Sequence, residues 1–348
     1  MARGFNDTRD LQPVTSDGIP FIRLFEDISA ALRDYNDTAS ALRASLVTVT
    51  TAEKLVTGGA QGQYNFSRAT EYGRPDRVRV GVSPEVERFI PLEDFSLGVG
   101  FTRKYLALAT SSDVSSQVDE SIRADQELII RMILQQTLRI ENLGVGGIYK
   151  TFWNADGEIP PRFADTTFLG THTHFFFNAS LTLAVIQSMR LALVEHGLDV
   201  FRELWIPLNL ESGIRGLAGF VPVASKDLGL IGNTNVLSMP NSQVALVDPS
   251  QYIGVLEGFR IRLFNWMPDN YMFAYDAAQA LLRKPLAWRE YPVASLRGLQ
   301  LFNEDPNSSF PLVNSFFARS FGLAALNRSN GVAAQIAGSY TTPSIFTL

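Results

Sequence analysis

SSDVSSQVDESIRADQELIIRMILQQTLRI, residues 111–140, is the stretch whose reading decides the fold. Val118, Ile122, Ile129, Ile133 and Ile140 fall four and seven residues apart. That spacing puts them on one stripe of an α-helix. Arg123, Asp125, Glu127, Arg131 and Arg139 interleave with them. Ser111, Ser112 and Asp113 supply N-cap candidates, and Gly144 supplies a stop. About thirty residues at 1.5 Å each span roughly 45 Å, long for a helix of an ordinary globular domain.

Upstream of it, residues 57–110 open with Thr57-Gly58-Gly59 and run through GQYNFSRATEYGRPDRVRV (62–80). They return through the strand-like VERFIPLEDF (86–95) and LGVGFTRKYLALA (97–109). This is a two-way excursion with few residues able to build a core. Its charges, Arg68, Arg74, Arg77, Arg79 and Arg88 among Glu71, Asp76, Glu85 and Glu87, form a near-neutral mixture. Two readings fit: a solvated surface hairpin, or an arm that meets a neighbouring subunit through its strand edge and complementary charges. Before it, residues 1–18 are polar. Phe21, Leu24, Phe25, Ile28, Ala31, Leu32 and Tyr35 then give a helical pattern from Pro20 to about Leu46, and LVTVTT (46–51) is β-rich.

Downstream, 141–178 is rich in loop residues. SLTLAVIQSMRLALVEH (180–196) predicts a second helix ended by Gly197, and ELWIPLNL (203–210) a buried strand. EGFRIRLFNWM (257–267) and NYMFAYDA (270–277) read as strands flanking the Pro268-Asp269 turn. The end is β-rich, and Asn330-Gly331 between two apolar runs predicts a hairpin. The class is mixed α+β, without repeats or low-complexity tracts.

The chemistry-bearing residues are few. His172 and His174, two apart, would face the same side of a strand and with Asp165 or Asp156 could in principle bind zinc. The plainer reading is a pair of packed or hydrogen-bonded polar residues, so no metal site and no cofactor is assigned. His196 sits at a helix end, where a cation is favoured. Asp156 and Glu158 beside Pro160-Pro161 read as a surface loop rather than a glycosidase pair. Gly144-Val145-Gly146-Gly147 lacks the spacing of a phosphate-binding loop, and no nucleophile motif is present. There is no cysteine, which excludes disulfides and thiolate metal sites and fits a reducing cytoplasm. The net charge is −5, with no basic block, so the chain lacks the footprint of strong nucleic-acid binding. Near DNA it would enclose rather than grip. Charged residues are only 19%, and 24 are Phe, a balance that suits surfaces hidden against partners. No run reaches 18 apolar residues, so no membrane span is expected.

The order of these segments resembles the major capsid proteins of tailed bacteriophages, the Hong Kong 97-type fold. FPLVNSFFARSFGLAALNRSNGVAAQIAGSYTTP (310–343), EGFRIRLFNWMPDNYM (257–272) and DGEIPPRFADTTFLGTHTHFF (156–176) look like blocks of one branch of that family. The resemblance implies an N-terminal arm (1–56), an extended loop (57–110), and a spine helix with a peripheral segment (111–179). It also implies an axial domain (180–280) and peripheral strands (281–348). It implies pentamers and hexamers closing into an icosahedral shell around double-stranded DNA, assembled in the bacterial cytoplasm. Portal and scaffolding partners and a possible decoration protein come with it. Intersubunit contacts would fall on Arg68, Arg74, Arg77, Arg79, Glu85, Glu87 and Arg88. Some relatives lock the shell with a Lys–Asn bond from the extended loop, yet no lysine lies between Leu55 and Arg103. No such crosslink is expected. The encapsulin shell is an alternative within the same fold, and a soluble metal enzyme using His172 and His174 is one outside it. The short stretch before the first helix points to a separate scaffolding protein.

Overall fold

Helix α1 (Phe21–Asp37) lies against the first half of the long helix α2 (Ser111–Leu138). At 28 residues α2 is about 42 Å long. Its apolar stripe is buried from end to end but serves two cores. Val114, Val118 and Ile122 pack with Leu24, Ile28 and Leu32 of α1. Ile129, Ile133, Leu134 and Leu138 pack into the central core. The change falls at buried Asp125, which accepts a hydrogen bond from the Tyr35 hydroxyl (2.7 Å) and pairs with Arg319 (2.6 Å). The computed structural model describes residues 14–37, 45–57, 86–102, 105, 108–161, 163, 166–222, 250–279, 283–303 and 312–344.

Both ends of α2 differ from the local reading. The cap is Thr110, one residue earlier than expected: its hydroxyl accepts from the Asp113 N–H (3.2 Å), while Asp113 accepts from the Thr110 N–H (2.8 Å). The helix stops at Leu138, well before Gly144. There the carbonyls of Leu138, Arg139 and Ile140 are taken by the side chains of Tyr340, Thr151 and Asn154 at 2.8, 2.6 and 2.6 Å. Distant segments satisfy the terminal carbonyls, so no glycine is needed.

Two sheets flank α2. One holds β1 (Val47–Thr50), β11 (Leu286–Glu290), β12 (Gln300–Asn303) and the 14-residue β13 (Leu312–Ala325), with β4 (Glu93–Thr102) paired along β13. The other has the order β5 (Phe175–Asn178), β14 (Val332–Ile336), β10 (Tyr271–Asp276), β6 (Arg202–Ile206), β9 (Phe259–Phe264), β8 (Ser250–Leu256), β7 (Val221–Pro222). The central strands of this seven-stranded sheet are buried on both faces. Trp205, Phe273, Tyr275 and Ala333 face the central core, which they share with α2 and with Trp288 and Phe321 of the first sheet. Their neighbours Leu204, Ile206, Met272, Ala274, Val332 and Ala334 face helix α3 (Leu183–Val194). Period-two alternation therefore shows here as two different apolar environments rather than as apolar against polar.

The expected hairpin at Asn330-Gly331 is overturned. β13 and β14 belong to different sheets, and the chain crosses between them through residues 326–331. Neither residue takes the left-handed backbone of such a turn. Asn330 is buried, accepting from the Asp276 N–H (2.8 Å) and donating to the Arg283 carbonyl (2.9 Å). A side-chain carbon at Gly331 would lie 2.2 Å from the Phe152 ring. Tertiary packing, not turn geometry, selects these two residues. β14 pairs with β5 on one side and β10 on the other. β4 likewise lies within the first sheet, so residues 86–89 and 93–102 of the 57–110 excursion are strands of the described chain.

Candidate functional site

The excursion leaves and re-enters through an antiparallel ribbon, β2 (Lys54–Thr57) with β3 (Val86–Phe89). Thr57 pairs with Val86, so the 28 residues between them start and finish side by side. Arg68, Arg74, Arg77, Arg79 and Glu85 lie outside the described residues. Glu87 and Arg88 lie on β3. Glu87 meets Lys54 across the ribbon at 2.5 Å, with both side chains exposed. Arg88 instead is buried and reaches Glu158 at 3.5 Å within its own chain. Burial and the neighbouring Arg328 both pull its pKa down, against Glu158.

Glu158 belongs to a charged hub that sequence alone gave as a surface loop. At its centre is Arg328, whose side chain is wholly buried. Its guanidinium donates to Asp156 (3.0 Å), Glu158 (2.8 Å), Asn154 (2.9 Å) and the Thr151 carbonyl (2.8 Å), and lies 4.2 Å from the Trp153 ring centre. Lys150 bridges Asp156 and Glu158 at 3.1 and 2.9 Å. Burial alone would raise the Asp156 pKa, but the Arg328 charge and hydrogen bonds from Lys150, Arg328 and Asn142 hold it well below the carboxylate range. Both acids are thus ion-paired, the opposite of a raised general acid. An arginine in a predicted turn gave no local signal of this.

Asp156 is therefore not a partner of the histidines, and Asp165 lies outside the described residues. What meets His172 and His174 is the end of α3. The Nε2 atoms of His172, His174 and His196 lie 3.0, 3.1 and 3.1 Å apart, and Glu195 Oε1 is 3.4 Å from that of His172. The four donor atoms all fall within 4.8 Å of one another. His174 is buried and its Nδ1 contacts the Gly331 carbonyl at 2.8 Å. His196 stacks on Phe168, ring centres 4.4 Å apart. Burial, and then the neighbouring imidazoles, push His174 well below the usual range and His196 down to about 3. The expectation of a helix-end cation at His196 is thus corrected: burial keeps it neutral. Sequence reading missed Glu195 and His196 as partners because 20 and 21 residues separate them from His174 and only the fold joins them.

Gly144, Gly146 and Gly147 carry positive φ in a short turn at 145–147, an ordinary joint. Among the described residues no helix is long and apolar enough to cross a membrane.

No family model matches the sequence, and no curated protein does. Solved structures do. A chain of Mycobacterium phage Patience is 22% identical, with a TM-score of 0.65, covering 99% of this chain and 97% of that one. The asymmetric unit of the bacteriophage PhiM1 mature capsid is 10% identical, covering 86% and 88%, with a TM-score of 0.49. The holo-SrpI encapsulin complex of Synechococcus elongatus is 12% identical, covering 90% and 98%, at 0.46. The resemblance to tailed-phage head proteins is borne out in the fold, which this chain shares almost end to end with that of the Mycobacterium phage Patience chain.

Proposed function

We propose that the chain is a shell-building subunit, the major capsid protein of a tailed-phage head, whose copies close around double-stranded DNA. The observation that carries this is the β2–β3 ribbon. Thr57 and Val86 pair at its end, so the 28 residues between them start and finish at one point. In this reading 58–85 lies over a neighbouring subunit, with Arg68, Arg74, Arg77, Arg79 and Glu85 meeting complementary charges there and Glu87 at the ribbon's foot. Arg88 anchors that foot from inside. The stacked Phe302 and Phe316, ring centres 5.3 Å apart and both exposed, give the first sheet an apolar contact face. α2 acts as the spine, α1 and the residues around it as the arm, the seven-stranded sheet as the axial part and the first sheet as the peripheral part. Many weak contacts repeated around a closed shell become collectively strong. Portal and scaffolding proteins are the natural partners, with a decoration protein as an optional third, and the shell's role is assembly rather than catalysis.

The test is negative-stain microscopy of the full chain, co-expressed with its genomic neighbours, beside a variant joining Thr57 to Val86 through a short glycine linker. Closed particles from the first and soluble subunits with unchanged circular dichroism from the second are expected. Soluble oligomers from both would sink the reading. Particles filled with a cargo protein rather than DNA would replace it with the encapsulin reading.

A further inference from the structure

We propose that His172, His174, His196 and Glu195 form a structural site for a late first-row divalent cation, zinc foremost. The site would clamp the loop before β5 to the end of α3. It stands on geometry independent of the shell reading.

The three Nε2 atoms make a nearly equilateral triangle with sides of 3.0, 3.1 and 3.1 Å. Each imidazole nitrogen offers one in-plane direction, holding either a proton or a lone pair. His174 has its tautomer fixed: Nδ1 faces a carbonyl, which only accepts, so Nδ1 carries the proton and Nε2 the lone pair. His172 and His196 then have three options as neutral rings. If both direct N–H groups at His174, their own contact sets hydrogen against hydrogen. If one does, its single N–H must serve two lone pairs, and those two lone pairs face each other. If neither does, three lone pairs converge. No assignment makes all three short contacts hydrogen bonds. A cation that accepts three lone pairs at once resolves every one of them.

The spacing suits one. A tetrahedral ion with bonds of about 2.05 Å holds its ligand atoms about 3.3 Å apart, and an octahedral one about 2.9 Å. The observed triangle falls between these. An ion at that bond length would sit about 1 Å above the plane of the three nitrogens. Glu195 Oε1, 3.4 Å from His172 Nε2 and up to 4.8 Å from the other nitrogens, becomes the fourth donor once its side chain turns inward. Four protein donors leave no open position for substrate, so the set has the closed character of a structural site rather than a catalytic one. The imidazoles are also held from behind: the Gly331 carbonyl orients His174, and Phe168 lies against both His196 and His172, ring centres 4.4 and 4.8 Å away. Nitrogen and oxygen ligands suit zinc, nickel or cobalt over magnesium or calcium.

The experiment uses full-length protein purified without a histidine tag, stripped with a chelator and dialysed against zinc. Metal is measured by mass spectrometry, and the melting temperature is recorded before and after zinc is restored. About one zinc per chain and a melting temperature raised by its return are expected. His172→Gln, the least buried imidazole, is expected to lose both the bound zinc and the rise. Cobalt(II) added to the stripped protein should give a visible absorption band that His172→Gln lacks. Should His172→Gln fail to fold, the wild-type comparison decides alone. A stripped wild-type protein that retains no zinc and melts unchanged overturns the proposal, as does equal zinc retention by folded His172→Gln.

Discussion

At the scale of single residues, Arg328 concentrates more of the chain's polar order than any motif. Its guanidinium is fully buried and holds two acids, an amide and backbone carbonyls in fixed directions. Arg328→Met removes the central cation and leaves Asp156 with Lys150, and Glu158 with Lys150 and Arg88. Breaking such a buried pair costs about 3–5 kcal/mol, so a large fall in the denaturation midpoint is expected. Arg328→Lys is expected to recover little of it, because an ammonium cannot reproduce the fork of five donors. A midpoint within error of wild type for either variant would contradict the account. None of this was legible locally. Arg328-Ser329-Asn330-Gly331 looks like a turn because Asn and Gly tolerate unusual backbone angles. The fold uses them instead because Asn330 fits among buried backbone groups and Gly331 leaves room for Phe152. The same limit hid the metal candidate: His172 and His174 were visible as a pair, but their partners come from the end of a helix.

At the scale of elements, α2 was the most legible, since its stripe is a local property and Val118, Ile122, Ile129 and Ile133 are all buried. Its ends were less so. The N-terminus gains a second acid from outside the helix: Asp17 accepts from the Ser111 N–H (3.1 Å) and hydroxyl (2.5 Å). Those bonds, with one from Thr15, hold the Asp17 pKa at about 2, below its ordinary 3.8. A carboxylate depressed in the folded state stabilises it above the unfolded pKa and loses that effect as pH falls through the folded one. Wild type should therefore melt above Asp17→Asn at pH 5, with the gap closing between about pH 4 and pH 2. A gap that stays constant over that range would rule out the carboxylate as its source. The C-terminus of α2 was illegible because Tyr340, Thr151 and Asn154, which take its last carbonyls, lie 12 to 202 residues away in sequence.

At the scale of the whole molecule, the class and the succession of segments could be read, because long periodic stretches and their order survive in one dimension. Sheet membership could not. β4 and β14 each look like continuations of their neighbours in sequence, yet each joins a sheet according to which apolar face it can bury. In the proposed shell, the absence of lysine between Leu55 and Arg103 leaves the excursion without the amine for a Lys–Asn bond. Denaturing gels of mature particles should show a single monomer band. A ladder of covalent oligomers would mean that another lysine reaches a neighbour.

Arg88 gives the ribbon one last property. It stands on β3, directly beneath the point where 58–85 departs, and shares Glu158 with Arg328. The residues that follow Arg328 cross from one sheet to the other. In the proposed shell, a pull on the excursion therefore passes through Arg88 to the Arg328 cluster inside the chain instead of ending at a hinge on the surface.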